Sequence, residues 1–151
     1  MFGLLFAVII STAPAEGQDE KAAVTEVFKG YARAWDSLDM QRILPYYHEP
    51  LIFITAAGVR SLATRGDIEA WVKTIFTRIT ERGYARGEYP QLHVKQMSPS
   101  VAMASGLYVR YKKDGQELER LGATYVLHKT SDGWKIAVLV AHDPGSVLRL
   151  D

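Results

Sequence analysis

The sequence predicts an α+β fold in which three helices from the first half of the chain pack on a curved, mostly antiparallel sheet from the second half. Three observations predict it. Val24, Val27, Phe28, Tyr31, Trp35 and Leu38 recur at intervals of three and four, which makes one wide apolar helix face. From Tyr89 onward the apolar period changes to two, the period of a strand. The pairs Asp114-Gly115 and Asp132-Gly133 mark tight hairpins between the last strands. A helix carrying two aromatics with polar tips needs a broad surface to cover it, and the later strands are the surface available.

The elements follow in order. Gly17 to Lys21 is a polar joint, and the first helix runs from about Glu20 to Ser37. Asp39 caps a short second helix, Met40 to Leu44, which Pro45 ends. Tyr46 to Pro50 leads into a short strand, Leu51 to Ala56, and Ala57-Gly58 turns the chain. After Gly66, Asp67 favours a helix first turn through the positive end of its dipole. Ile68, Trp71, Val72, Ile75 and Ile79 then line one face of a third helix that stops at Gly83. Four strands are expected at Leu92 to Met97, Val101 to Lys112, Leu118 to Lys129 and Trp134 to His142. Leu121, Ala123, Tyr125 and Leu127 share one face of the third of these, and Trp134, Ile136, Val138 and Val140 are taken as the core face of the last. Ala137, Leu139 and Ala141 on its opposite side are also apolar, which suggests a dimer surface there.

Composition bounds the function. At 151 residues, 48% hydrophobic and 23% charged, the chain is one domain with a real core. A formal charge of +1 disfavours nucleic acid or an acidic membrane surface as partner. The absence of cysteine excludes disulfides and thiolate metal sites, and no histidine spacing suits a metal, so neither metal nor cofactor is expected. At the N-terminus, the apolar run Phe2 to Ile10 and the small-x-small pattern Ala13-Pro14-Ala15 predict a signal peptide over residues 1–15, a single domain over 16–151, and a periplasmic or secreted location. The run carries no preceding Lys or Arg, which leaves a cytoplasmic chain with an apolar tail as the alternative. It is far shorter than the roughly 20 apolar residues of a membrane-spanning helix, so no stable anchor is expected.

The first-helix pattern YARAWDSLD (Tyr31 to Asp39), the strand LIFITAAG (Leu51 to Gly58), the helix start GDIEAWV (Gly66 to Val72) and the closing DGWKIAVLVAH (Asp132 to His142) resemble the nuclear transport factor 2-like (NTF2-like) superfamily. The likeness is to its small bacterial branch of SnoaL-like, ketosteroid-isomerase-like and DUF4440-type proteins, and it covers about Lys21 to Pro144. It implies the cystatin-like cone, with a mostly apolar cavity between helices and sheet that relatives use to bind, isomerise or cyclise small hydrophobic molecules. Ketosteroid isomerase needs a carboxylate base on the early strand, with a tyrosine and a neutral carboxylic acid as oxyanion donors. Tyr31 matches the tyrosine; the other two positions fall near Thr55 and Thr124, neither of which can act as a carboxylate.

The candidate ligand-binding residues are therefore Tyr31, Trp35, Tyr47, Thr55, Trp71, Thr124 and His142, with Tyr31 and His142 the candidates for proton transfer. His142 continues the face taken as core on the last strand. An aromatic core whose polar tips find internal partners is the competing account of Tyr31, Trp35, Tyr47 and Trp71. Arg110 alternates away from Val109 and Tyr111 and is expected to face solvent or a dimer partner rather than to clamp an anion. Three functions stay open, in this order: an exported domain that binds a small hydrophobic molecule; an isomerase, cyclase or dehydratase using Tyr31 and a histidine; and a dimerisation scaffold with a filled cavity. A homodimer through the sheet is compatible with each.

Overall fold

The aromatic face of the first helix meets the sheet as its periodicity requires. In a computed structural model, which describes residues 15–150, α1 (Ala15–Asp36) buries Val24, Phe28, Tyr31, Ala34 and Trp35. The signal peptide expected over residues 1–15 lies outside the described residues apart from Ala15, where α1 begins. Asp39 caps α2 (Met40–Ile43) by accepting from the backbone N–H of Gln41 at 2.9 Å. The third helix, α3 (Arg65–Glu81), opens with a reciprocal capping box: the Thr64 hydroxyl accepts from Asp67 N at 3.2 Å and the Asp67 carboxylate accepts from Thr64 N at 2.9 Å. Among the described residues no helix is long and apolar enough to cross a membrane.

Six strands form one sheet: β1 (Tyr47–Thr55), β2 (Gly58–Leu62), β3 (Tyr84–Ser98), β4 (Val101–Lys112), β5 (Glu117–Thr130) and β6 (Gly133–His142), in the order β2-β1-β6-β5-β4-β3. Every neighbouring pair is antiparallel except β1 and β6. The two Asp-Gly hairpins fall where expected, with Gly115 at φ 83 and Gly133 at φ 96, a region that a side chain would disfavour.

Three local expectations are corrected. The strand β2 was absent from the pattern because Gly58 to Ser61 are exposed; it is an edge strand specified by pairing with β1 rather than by buried side chains. Strand β3 begins at Tyr84, not Leu92, and register shifts between Tyr84 and Arg86 and between Glu88 and Gln91 break the alternation that would have revealed it. In β6 a register shift changes which residues face the core. Val126 pairs with Val138 but Leu127 pairs with Ile136, so Ala137 is an extra residue. Trp134 and Ile136 are buried on the helix side, after which Leu139 and Ala141 take that side, and Val138, Val140 and His142 turn to the outer face. Leu139 and Ala141 are thus not the dimer surface their alternation suggested.

Gly122 shows how tightly the outer face is built after this shift. A Cβ there would lie 2.3 Å from His142 Nδ1 and 2.5 Å from the Asp143 carbonyl oxygen. Gly122→Ala is expected to lower stability by about 1–3 kcal/mol, the cost of forcing a backbone or ring shift in a packed site, measured by urea unfolding. A variant as stable as wild type would contradict this seating of His142.

Candidate functional site

Helices and sheet do not close completely on one another; they leave a cavity of about 300 Å³. Its helical wall is Tyr31 and Trp35 from α1 with Trp71, Ile75 and Arg78 from α3. Its sheet wall takes Phe53 and Thr55 from β1, Tyr108 and Arg110 from β4, Leu121, Ala123 and Tyr125 from β5, and Leu139 and Ala141 from β6. The small residues Ala123 and Ala141 are cross-strand partners, and their short side chains leave the space that the surrounding aromatics enclose. Aromatic contacts set the rings against each other: Tyr31 meets Trp35 edge-to-face with centroids 6.2 Å apart, and Phe53 lies tilted against Trp71 at 5.1 Å.

The tyrosine hydroxyls satisfy one another. Tyr31 and Tyr47 share a hydrogen bond of 2.6 Å and Tyr89 and Tyr125 one of 2.7 Å, while Tyr84 donates to the Asp36 carboxylate at 2.7 Å. Burial pushes the Tyr31 phenol up to about 12, and burial with the neighbouring tyrosines pushes Tyr47, Tyr89 and Tyr125 well above their usual value. All four are neutral phenols at physiological pH. They can orient a ligand but cannot abstract a proton as phenolates.

The charged part of the wall is on β4 and β5. Arg110 is only 6% exposed and lies beneath the rings of Trp35 and Tyr108, at 5.9 and 5.5 Å from their centroids. This corrects the expectation of a solvated or dimer-face arginine. The face of β4 turned to the cavity is that of Ala102, Ala104, Tyr108 and Arg110, while on the outer face Val101, Met103 and Leu107 are half-buried and Ser105 and Val109 are buried. Arg110 Nη1 donates to Glu119 Oε1, its direct cross-strand partner, and Arg82 Nη1 at the end of α3 donates to Glu119 Oε2. Burial works against the Glu119 charge, but the two guanidinium hydrogen bonds outweigh it and hold the carboxyl below its usual range. For Arg110, burial opposes the charge and is more than offset by Tyr108 and Glu119. Its Nε has no hydrogen-bond partner among the described residues. An unsatisfied buried donor costs roughly 1–3 kcal/mol.

Of the residues nominated from sequence, Tyr31, Trp35, Thr55 and Trp71 meet at the cavity. Tyr47 stands behind it, bonded to Tyr31 and packed edge-on to Trp71 at 5.6 Å. Thr124 and His142 are on the opposite face of the sheet. Thr124 alternates with the buried Ala123 and Tyr125, and His142 follows the extra residue in β6. There Thr124 Oγ1 bonds His142 Nε2 and Ser105 Oγ, both at 2.9 Å, and Ser105 Oγ also accepts from Leu148 N at 2.9 Å, which ties down the C-terminal segment. Sequence reasoning missed Arg110 and Glu119 as a pair. Counting back from the Lys112–Gln116 closure puts Leu118 opposite Arg110, and the register shift between Arg110 and Tyr111 moves the partner to Glu119; the available signal was only a lone charge mid-strand with opposite charges on the next strand. Glu119 is the one carboxylate lining the cavity among the described residues, and both its oxygens are engaged by arginines, so it is a poor proton acceptor. Among the described residues no group of three or more His, Cys, Asp or Glu is placed to hold a metal ion.

Comparison with known proteins agrees with this architecture. An NTF2-like protein with a cystatin-like fold from Novosphingobium aromaticivorans superposes with a TM-score of 0.69 at 14% identity, over 85% of this chain and 84% of that one. An NTF2-like protein from Shewanella oneidensis gives 0.68 at 18% identity, over 82% and 99%. A ketosteroid isomerase-like protein from Erwinia carotovora atroseptica gives 0.61 at 14%, over 82% and 95%. At these identities the likeness carries the fold alone. No curated protein matches the chain. Residues 19–144 match the sequence model of the family described as NTF2-like protein (DUF6841), and the chain belongs to that family.

Proposed function

We propose that this chain is a binding domain for a small, mostly apolar molecule held in the cavity between α1, α3 and the sheet. The observation that carries the reading is the cavity itself: about 300 Å³ of open space walled by aromatic and aliphatic side chains. Open space counts against a scaffold whose cavity is filled. The isomerase, cyclase or dehydratase reading needs a base beside the ligand. Tyr31 is a neutral phenol engaged by Tyr47, Glu119 is held by two arginines, and His142 is on the far side of the sheet. The apolar run and small-x-small pattern at the N-terminus support an exported domain.

The outer face supports a homodimer through the sheet. Ile52, Val138, Val126 and Met103 are cross-strand neighbours in one row over β1, β6, β5 and β4, each half-buried. A contiguous apolar row of this kind is unusual on a monomer surface, and a second copy would present the same row to it.

Four outcomes are expected. Thermal-shift screening against a hydrophobic metabolite library will find compounds that stabilise the chain, by ~2.7 kcal/mol at a hundredfold excess over Kd, or roughly 5–10 °C for a domain of this size. Ala141→Phe, which fills the cavity, will abolish that shift; a flat library response from the wild type would refute the binding reading. Tyr31→Phe will cost about 1–3 kcal/mol in urea unfolding because it strands the buried Tyr47 hydroxyl, while affinity for apolar compounds stays unchanged. Val126→Lys will convert a dimer to a monomer in sedimentation, and a wild-type chain that is already monomeric at high concentration would remove the dimer proposal.

A further inference from the structure

Arg110 is a buried cation whose local partners do not use all of it. A structural arginine–carboxylate pair is commonly side-on, with two parallel N–H···O bonds from one guanidinium to one carboxylate. Here Arg82 occupies Glu119 Oε2, so Arg110 reaches Glu119 through Nη1 alone. The edge formed by Nε and Nη2 is the one suited to a second carboxylate, and Nε has no acceptor among the described residues. The charges point the same way. Arg110 and Arg78 line the cavity, Arg82 pairs with Glu119 in its wall, and Glu119 is the one carboxylate lining the cavity among the described residues.

We infer that the molecule taken by the cavity is an aromatic or hydrophobic carboxylate, its carboxylate seated on the free edge of Arg110 and its ring against Trp35, Trp71 and Phe53. The inference rests on the binding reading above and narrows it from any apolar molecule to an acid. A purely structural role for Arg110, joining β4 to β5 and α3, accounts for Nη1 and leaves Nε unexplained. An incoming carboxylate satisfies that donor and brings the cluster closer to neutral. Arg110 already lies over two aromatic faces, where a weakly hydrated guanidinium holds its orientation without water, so the site is preorganised for a planar anion.

The test compares 1-naphthylacetate with its uncharged analogue 1-naphthylacetamide by calorimetry and by quenching of tryptophan fluorescence, since Trp35 and Trp71 border the space. The wild type should bind the acid at least about tenfold more tightly than the amide, the discrimination a hydrogen-bonded charge supplies. Arg110→Lys keeps a cation but loses the planar edge, and Arg110→Gln loses both. Arg110→Gln should erase the preference and Arg110→Lys should sharply reduce it, with unchanged urea unfolding of each variant reporting that the fold is intact. Should Arg110→Gln fail to fold, the wild-type acid/amide ratio and Arg110→Lys still decide the matter. Equal wild-type affinities, or a preference that survives both variants, would overturn the acid assignment and leave the apolar pocket standing. If no aryl acid or amide in a matched panel binds at about 1 mM, the binding reading and this inference fall together.

Discussion

The seating of α1 across the inner face of the sheet is the constraint on which the molecule depends. The helix is pinned at both ends by carboxylates. Glu20, near its start, accepts from Lys129 Nζ at 2.5 Å and from Trp134 Nε1 at 3.0 Å across the β5–β6 hairpin. Asp36, at its end, accepts from the Tyr84 hydroxyl at 2.7 Å and from Gly87 N at 2.8 Å on β3. Between these anchors Phe28 sits edge-on to Tyr89 and Tyr125. Apolar burial supplies most of the attraction but has no direction; the two polar anchors set where along the sheet the helix stops.

That position decides the character of the cavity. With Tyr31 held over Tyr47 and Tyr125 held by Tyr89, the aromatic hydroxyls are paired before any ligand arrives. Pairing removes the penalty of burying them and leaves rings, rather than polar tips, as the material of the wall. Small residues on β5 and β6 then keep the space open. A proton-transfer site needs a titratable group whose lone pair or proton is free to leave its partner, and these paired hydroxyls do not provide one.

The two faces of the sheet are separated by single-residue events rather than by composition. The extra residue at Ala137 puts Leu139 and Ala141 on the inside and His142 on the outside, where the imidazole lies over Gly122 and bonds Thr124. On β4 the face with more aliphatic residues is the outer one, while the inner face carries two alanines, Tyr108 and Arg110. Alternation is therefore a sound guide to which residues share a face, and a poor guide to which face is inside when both are partly apolar. An arginine on the inner face is tolerated because Glu119 lies directly across from it and aromatic rings cover its planar surface.

The residues alone determined the α+β class, three helices with the Asp39 cap of the second and the Gly83 stop of the third, both Asp-Gly hairpins and the α1 aromatic face, because each rests on local chemistry: periodicity, side-chain capping, and the freedom of glycine at positive φ. They also nominated Tyr31, Trp35, Thr55 and Trp71, which the fold places around one cavity. Tertiary structure alone decided the rest: the edge strand β2, which is held by backbone pairing with β1; the full length of β3 through its irregular registers; the placement of Thr124 and His142 outside; and the union of Arg110 and Glu119 at the cavity. In each of these the deciding interaction is between residues distant in the chain, and one residue of register, which no local pattern records, is enough to turn a side chain from solvent to core.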